Sequence, residues 1–225
     1  MASLTNSNTI WLTRHGERVD HVDTKWRSKH LSCSEDDPPL TDLGRRQAAE
    51  AGERLKKENI QHIFSSPFQR CAETSHIIGE KLQISVKIEP GICEVLSFCE
   101  FPPGFKPAEE LKKRFPSVDS SYQHVLMPTD QTEGFQQCFQ RASETVQTIR
   151  ANHPSDAALF VTHGALVAGV LQHFTSGEHV DPYVGYCTLT CLERNHNQKW
   201  NATLVGDSGH LSEELRPRNG VAKQN

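Results

Sequence analysis

The sequence predicts an α/β fold in three layers, a mostly parallel sheet flanked by helices. Three observations predict it. Short apolar runs alternate with amphipathic stretches of helical period along the chain. Two of those runs, Thr9-Ile10-Trp11-Leu12 and Ala157-Ala158-Leu159-Phe160-Val161-Thr162, lead into matching turns at His15-Gly16 and His163-Gly164. In a parallel sheet all such turns lie on one edge, where ligands bind outside the carboxyl ends of the strands, so His15 and His163 should face each other. Finally, 225 residues without an internal repeat suit one domain large enough to bury a core.

Composition narrows the function classes. With 36% hydrophobic and 23% charged residues the chain reads as globular rather than disordered. A net charge of -4 offers no electrostatic basis for nucleic-acid or membrane-surface binding, so any anion site must be a local pocket. No run approaches the roughly 20 apolar residues of a membrane helix, and Met1 to Asn8 lacks the basic start and apolar core of a secretory signal. Seven cysteines, an odd number without a Cys-x-x-Cys pair, suggest free thiols in a reducing compartment, with the cytoplasm as the expected location.

Taken in order, residues 1–8 form a short extension and residues 9–206 the domain. Residues 20–39 show no period and read as a long loop overhanging the pocket. Gly44, Ala48, Ala51 and Leu55 recur at helical spacing, and Ile60 to Phe64 reads as a buried strand. Ser66, Pro67 and Gln69 suggest an N-cap, a first helical position and a capping box, which puts Arg70 in the first turn of a helix that begins at a strand's carboxyl end. Val86 to Ile88 is a short strand leaving through Pro90-Gly91 to Glu94. Residues 96–131, rich in proline and phenylalanine, read as an insertion that walls the pocket, with Ala108 to Arg114 its helical piece. Phe135, Cys138, Ala142, Val146 and Ile149 mark a long helix stopped at His153-Pro154. Tyr186 to Leu192 and Lys199 to Leu204 suggest a terminal hairpin, followed by a loose tail over 207–225.

Arg14, His15, Arg70 and His163 thus converge on one edge, with Glu94 nearby and Arg18 a fifth cation. Guanidinium forks match phosphate oxygens with paired hydrogen bonds, and such a cluster can neutralise a phosphomonoester dianion. Neighbouring cations also keep a histidine neutral, and neutral imidazole is nucleophilic. If Nδ1–H of His15 donates to a backbone carbonyl, its Nε2 lone pair points at phosphorus. Glu94 in its protonated form could supply the proton to the leaving alkoxide and then deprotonate water, while Arg14, Arg70 and His163 stabilise charge on the transferred oxygens. This chemistry requires neither metal nor cofactor.

At these residues the sequence resembles the histidine phosphatase superfamily, the phosphoglycerate-mutase-like proteins. Four segments carry the resemblance: Arg14-His15-Gly16-Glu17, Pro39-Leu40-Thr41-Asp42-Leu43-Gly44-Arg45-Arg46-Gln47-Ala48, Ser65-Ser66-Pro67-Phe68-Gln69-Arg70-Cys71-Ala72-Glu73-Thr74 and Thr162-His163-Gly164. The resemblance implies a phosphoglycerate-mutase-like fold, phosphorylation of His15, phosphate binding by Arg14, Arg70 and His163, and Glu94 as the acid. Arg14 to Asp20 and Glu89 to Glu94 look most like the suppressor of T-cell-receptor signalling and ecdysteroid-phosphate phosphatase branch, where the equivalent of Arg18 also lines the pocket. Those relatives carry adaptor modules ahead of this domain, whereas eight residues precede Thr9 here. The resemblance also allows a homodimer, although no segment marks an interface.

The expected activity is phosphomonoester hydrolysis through phosphohistidine, on a phosphorylated small molecule or a phosphoprotein. A phosphoglycerate mutase would place an asparagine-bearing stretch after the nucleophile, where this chain has Val19-Asp20-His21-Val22-Asp23. A catalytically weak phospho-ligand binding module would need neither His15 nor Glu94.

Overall fold

The computed structural model describes residues 8–26, 36–100, 103–177 and 184–216. Its elements are β1 (Thr9–Arg14), α1 (Asp42–Leu55), β2 (Ile60–Ser65), α2 (Gln69–Leu82), β3 (Val86–Ile88), α3 (Ala108–Arg114), α4 (Phe135–Asn152), β4 (Ala157–Thr162), α5 (Gly164–Phe174), β5 (Leu189–Arg194) and β6 (Trp200–Asp207). Six strands form one sheet in the order β3-β2-β4-β1-β5-β6. The first four run parallel, β5 pairs antiparallel with β1, and β6 pairs antiparallel with β5.

Side-chain alternation along the strands divides the core into two layers. Trp11, Ile63, Leu159 and Val161 pack against Ala48, Ala51 and Leu55 of α1 and Cys71, Ala72 and Ile78 of α2. Ile10, Leu12, Phe64, Ala158 and Phe160 face the other way, onto Cys138, Ala142, Val146 and Ile149 of α4 and Leu166, Val167, Val170 and Leu171 of α5. The four-residue stripe read in α1 is buried throughout.

Two readings need correction. The stretch 96–131 is not chiefly a pocket wall. Leu111, Phe115 and Val118 are buried in the core beside α2 and β3, and Val118 makes an isolated bridge to Val86, because these apolar side chains extend the sheet's own hydrophobic layer. Leu96, and the partly buried Cys99 and Phe105, pack with Phe68 and Cys93 in a separate, smaller cluster. Nor is the segment after Asp207 loose up to residue 216. Leu211 and Leu215 are buried, Gln47 Nε2 donates to the Leu215 carbonyl, and Ser212 bonds Glu50 of α1. Residues 1–7, the centre of the 20–39 loop (27–35) and the last residues of the tail (217–225) lie outside the described residues. Among the described residues no helix is long and apolar enough to cross a membrane.

Candidate active site

The register of β1 on β4 sets Arg14 opposite Thr162, so the next residues, His15 and His163, leave adjacent strand ends together. Their rings lie 5.5 Å apart edge to face, and the His15 amide donates to the Thr162 carbonyl at 3.0 Å. Both rings are buried. Burial, reinforced by Arg70, Arg14 and His163, holds the pKa of His15 well below the ordinary histidine value. His163 is depressed by burial, then by Arg70, Arg18 and Arg14. The Nδ1 of His15 sits 2.8 Å from the Gly16 carbonyl. A carbonyl only accepts, so Nδ1 carries the hydrogen and Nε2 keeps its lone pair.

Arg70 enters from α2, 2% exposed, with its Nη2 3.2 Å from His163 Nδ1 and its Nη1 donating to the Asp36 carbonyl at 3.3 Å. Glu73, a conceivable ion-pair partner for Arg70, instead accepts from Arg45 Nε at 2.6 Å. Arg14 donates to the Val184 carbonyl at 3.1 Å and lies 4.2 Å from the centre of the Tyr186 ring. The Nε of each arginine is buried without a hydrogen-bond partner. Glu94 reaches the same place, its Oε2 3.2 Å from His163 Nδ1 and 3.7 Å from Arg70 Nη2. Its sequence neighbours are occupied elsewhere: Glu89 is fully buried, accepting from the Tyr122 hydroxyl and the amides of Gly91, Val125 and Leu126. Glu17 accepts from the Thr41 hydroxyl at 2.8 Å.

Arg18 is close enough for its charge to act on His15, Arg70 and His163, yet two of its nitrogens bond the Asp20 carboxylate at 2.6 Å each. The structure therefore brings Arg14, His15, Arg70, His163 and Glu94 together and gives Arg18 an acid of its own.

Ser66 does not serve as expected. Helix α2 starts at Gln69 behind Phe68, and Ser66 Oγ lies 2.8 Å from His163 Nε2. Arginine donates only, so Arg70 makes His163 Nδ1 the acceptor and the Nε2–H goes to Ser66. The helix is capped instead by Asp37, whose Oδ1 takes the Gln69 amide at 2.6 Å. Gln69 Oε1 accepts from Arg114 rather than closing a capping box. Burial raises Asp37 to about 7, against the pull of Arg70. Sequence reasoning missed Asp37 and Tyr186, both on irregular segments whose spacing carries no signal. Cys71 Sγ lies 3.6 Å from His163 Nε2, but burial pushes its thiol up to about 12 and leaves it a packing group.

The chain is similar to several known proteins. The chain is 29% identical over 243 residues to the human (Homo sapiens) ubiquitin-associated and SH3 domain-containing protein A, an alignment covering 85% of this chain and 36% of that protein. The chain thus spans about a third of that relative's length. It is also 29% identical to the uncharacterized phosphatase PhoE of Bacillus subtilis, over 90% of this chain and 96% of that one. In fold it is similar to the ecdysone phosphate phosphatase of Bombix mori solved with tungstate, with a TM-score of 0.68 at 23% identity, covering 88% and 92% of the two chains. The profile of the histidine phosphatase superfamily (branch 1) matches residues 10–208, and the chain belongs to that superfamily.

Proposed function

We propose that the chain hydrolyses phosphomonoesters through a phosphohistidine on His15. One observation carries the assignment of the site: Arg14 Nε and Arg70 Nε are buried donors without an acceptor, flanking a histidine whose Nε2 lone pair is free. Buried guanidinium nitrogens are costly to leave unpaired. A phosphate group supplies charge and acceptors to both, and it places phosphorus before Nε2.

In the first step His15 Nε2 attacks phosphorus and the ester oxygen leaves. Glu94 in its protonated form gives that oxygen its proton, and in the second step it takes a proton from the water that cleaves the phosphohistidine. Arg14 and Arg70 hold the equatorial oxygens, where charge is greatest between the two states, and His163 joins them once the arriving dianion's charge lets it take a proton on Nδ1. Arg18 joins them if the arriving dianion draws a guanidinium nitrogen from Asp20. No step calls for a Lewis acid, so the reaction is metal-independent in this reading. The free cysteines among the described residues favour a reducing compartment, the cytoplasm.

The test is phosphate release from p-nitrophenyl phosphate in EDTA. Wild type should turn over, His15→Ala should lose at least about a thousandfold as covalent capture disappears, and Glu94→Gln should slow the first step by about a hundredfold. Quenching in alkaline detergent, in which the acid-labile P–N bond survives, should trap phosphate on wild type and none on His15→Ala. Turnover that persists in His15→Ala would refute the phosphohistidine route. Wild-type binding of phosphate without turnover would make the chain a phospho-ligand binding module.

A further inference from the structure

At the opposite edge of the sheet, where the parallel strands begin, three metal-ligating side chains from different elements converge. We propose that His62, His153 and Asp156 form a binding site for a divalent transition-metal ion of the zinc type, separate from the phosphate site.

Each ligand owes its position to local structure. His62 lies on β2 just after an irregularity in the pairing with β4, where the register shifts between Ile60 and His62. Gln61 occupies the extra position, and its Oε1 takes the Ala157 amide. Such bulges re-aim the next side chain. His153 is the C-cap residue of α4, and Asp156 ends the turn from that helix into β4. The three ligand atoms all lie within 4.8 Å of one another. His62 Nε2 is 2.9 Å and His153 Nδ1 3.5 Å from the same oxygen, Asp156 Oδ2. Ligands of a tetrahedral zinc ion with bonds near 2.0–2.1 Å sit about 3.3 Å apart, so the two separations from Asp156 need to change by only a few tenths of an ångström, and the imidazole pair, at most 4.8 Å apart, closes by side-chain rotation. Two imidazoles, a carboxylate and a fourth position for water make a familiar donor set for such an ion. The three side chains are partly exposed, which leaves an approach from solvent.

Lys87 competes with the ion. Its ammonium lies 3.0 Å from His62 Nδ1 and can only donate, so His62 carries its hydrogen on Nε2, turned toward Asp156. Metal binding at Nε2 moves that hydrogen to Nδ1 and obliges Lys87 to turn away. The Phe64 and Tyr122 rings, with centroids 5.2 and 5.9 Å from Nζ, offer the displaced cation a resting place. Arg150 is a second cation whose charge acts on both His153 and Asp156.

Titrating the full chain with Co²⁺ and following the visible d–d bands, with Zn²⁺ as competitor, tests the proposal. One equivalent should bind without the thiolate charge-transfer band that cysteine ligation produces. His62→Gln and His153→Gln should each weaken binding by about tenfold or more, while turnover of p-nitrophenyl phosphate certifies that both variants are folded. Lys87→Met should tighten binding, and this reading does not depend on the histidine variants being stable. Absence of one-to-one binding, affinity unchanged in both histidine variants, or no tightening in Lys87→Met would each overturn the site.

Discussion

Among the described residues, Arg14 has an aromatic ring beneath it rather than an acid beside it. The Tyr186 ring lies 4.2 Å from its guanidinium carbon and 5.7 Å from the His15 ring, while the Tyr186 hydroxyl bonds His21 Nδ1. An acid in that place would neutralise the charge that the proposed reaction uses to hold phosphate, whereas a ring face orients the guanidinium and leaves its charge available. Tyr186→Ala should therefore lower kcat/KM for p-nitrophenyl phosphate by about tenfold, within the range of a desolvated cation–π contact. Tyr186→Phe, which keeps the ring, should stay near wild type. Equal losses in the two variants would show that the hydroxyl bond to His21 matters and the ring does not. At this scale the sequence was legible where residue type and position coincide. Arg14 and His15 share a strand end, His163 repeats that placement and Arg70 opens a helix. Tyr186 was read only as part of a hairpin, because its partner Arg14 lies at the other end of the chain and nothing in its neighbours announces a role.

Between elements, the turn that carries His15 is fixed by backbone touching backbone. A Cβ on Gly16 would stand 2.4 Å from the Gly44 carbonyl oxygen, and one on Gly44 would stand 2.3 Å from the Glu17 carbonyl oxygen. Helix α1 thus packs its first turn directly on the turn that carries His15, secured by Thr41 N to Glu17 O at 2.9 Å and Glu17 N to Gln47 Oε1 at 2.9 Å. Gly44→Ala should destabilise the protein by about 1–3 kcal/mol, the cost of overpacking against groups that cannot rotate away. It should also reduce kcat, although Gly44 belongs to the buried stripe of α1 and not to the reacting cluster. Thermal unfolding together with turnover measures both, and a variant with wild-type values in each would show that the contact relaxes freely. The helices and strands were legible because their apolar periods are strong. The stretch 96–131 was not, since proline and phenylalanine mark irregular backbone without saying which side chains go inward. Leu111, Phe115 and Val118 join the core for reasons of tertiary packing alone. The cap of α2 was misread similarly: Ser66 has the right residue type, but His163 claims its hydroxyl and Asp37 comes from another segment to take the amide.

Over the whole molecule, gathering neutral histidines among arginines ties stability to pH. His15 and His163 have native pKa values well below 6.5, whereas in the unfolded chain each takes up a proton near that value. Their contribution is complete above pH 6.5 and is lost as the pH falls below it, because protons then bind the unfolded state preferentially. Asp37 acts in the opposite sense. Raised to about 7, it keeps a proton in the native state that the unfolded chain releases above its ordinary 3.8, so it favours folding as the pH drops through that window. Two destabilising protons against one stabilising proton leave a net loss of stability as the pH falls below 6.5. His21, lowered to about 4 by burial and Arg18, adds to the loss in the same direction. The melting temperature should accordingly fall from pH 6.5 to pH 5, and the decline should steepen in Asp37→Asn, where the opposing proton is gone. A melting temperature that is flat or rises over that interval would mean that the two buried histidines are protonated in the native state, and His15 would then lack the lone pair its chemistry requires.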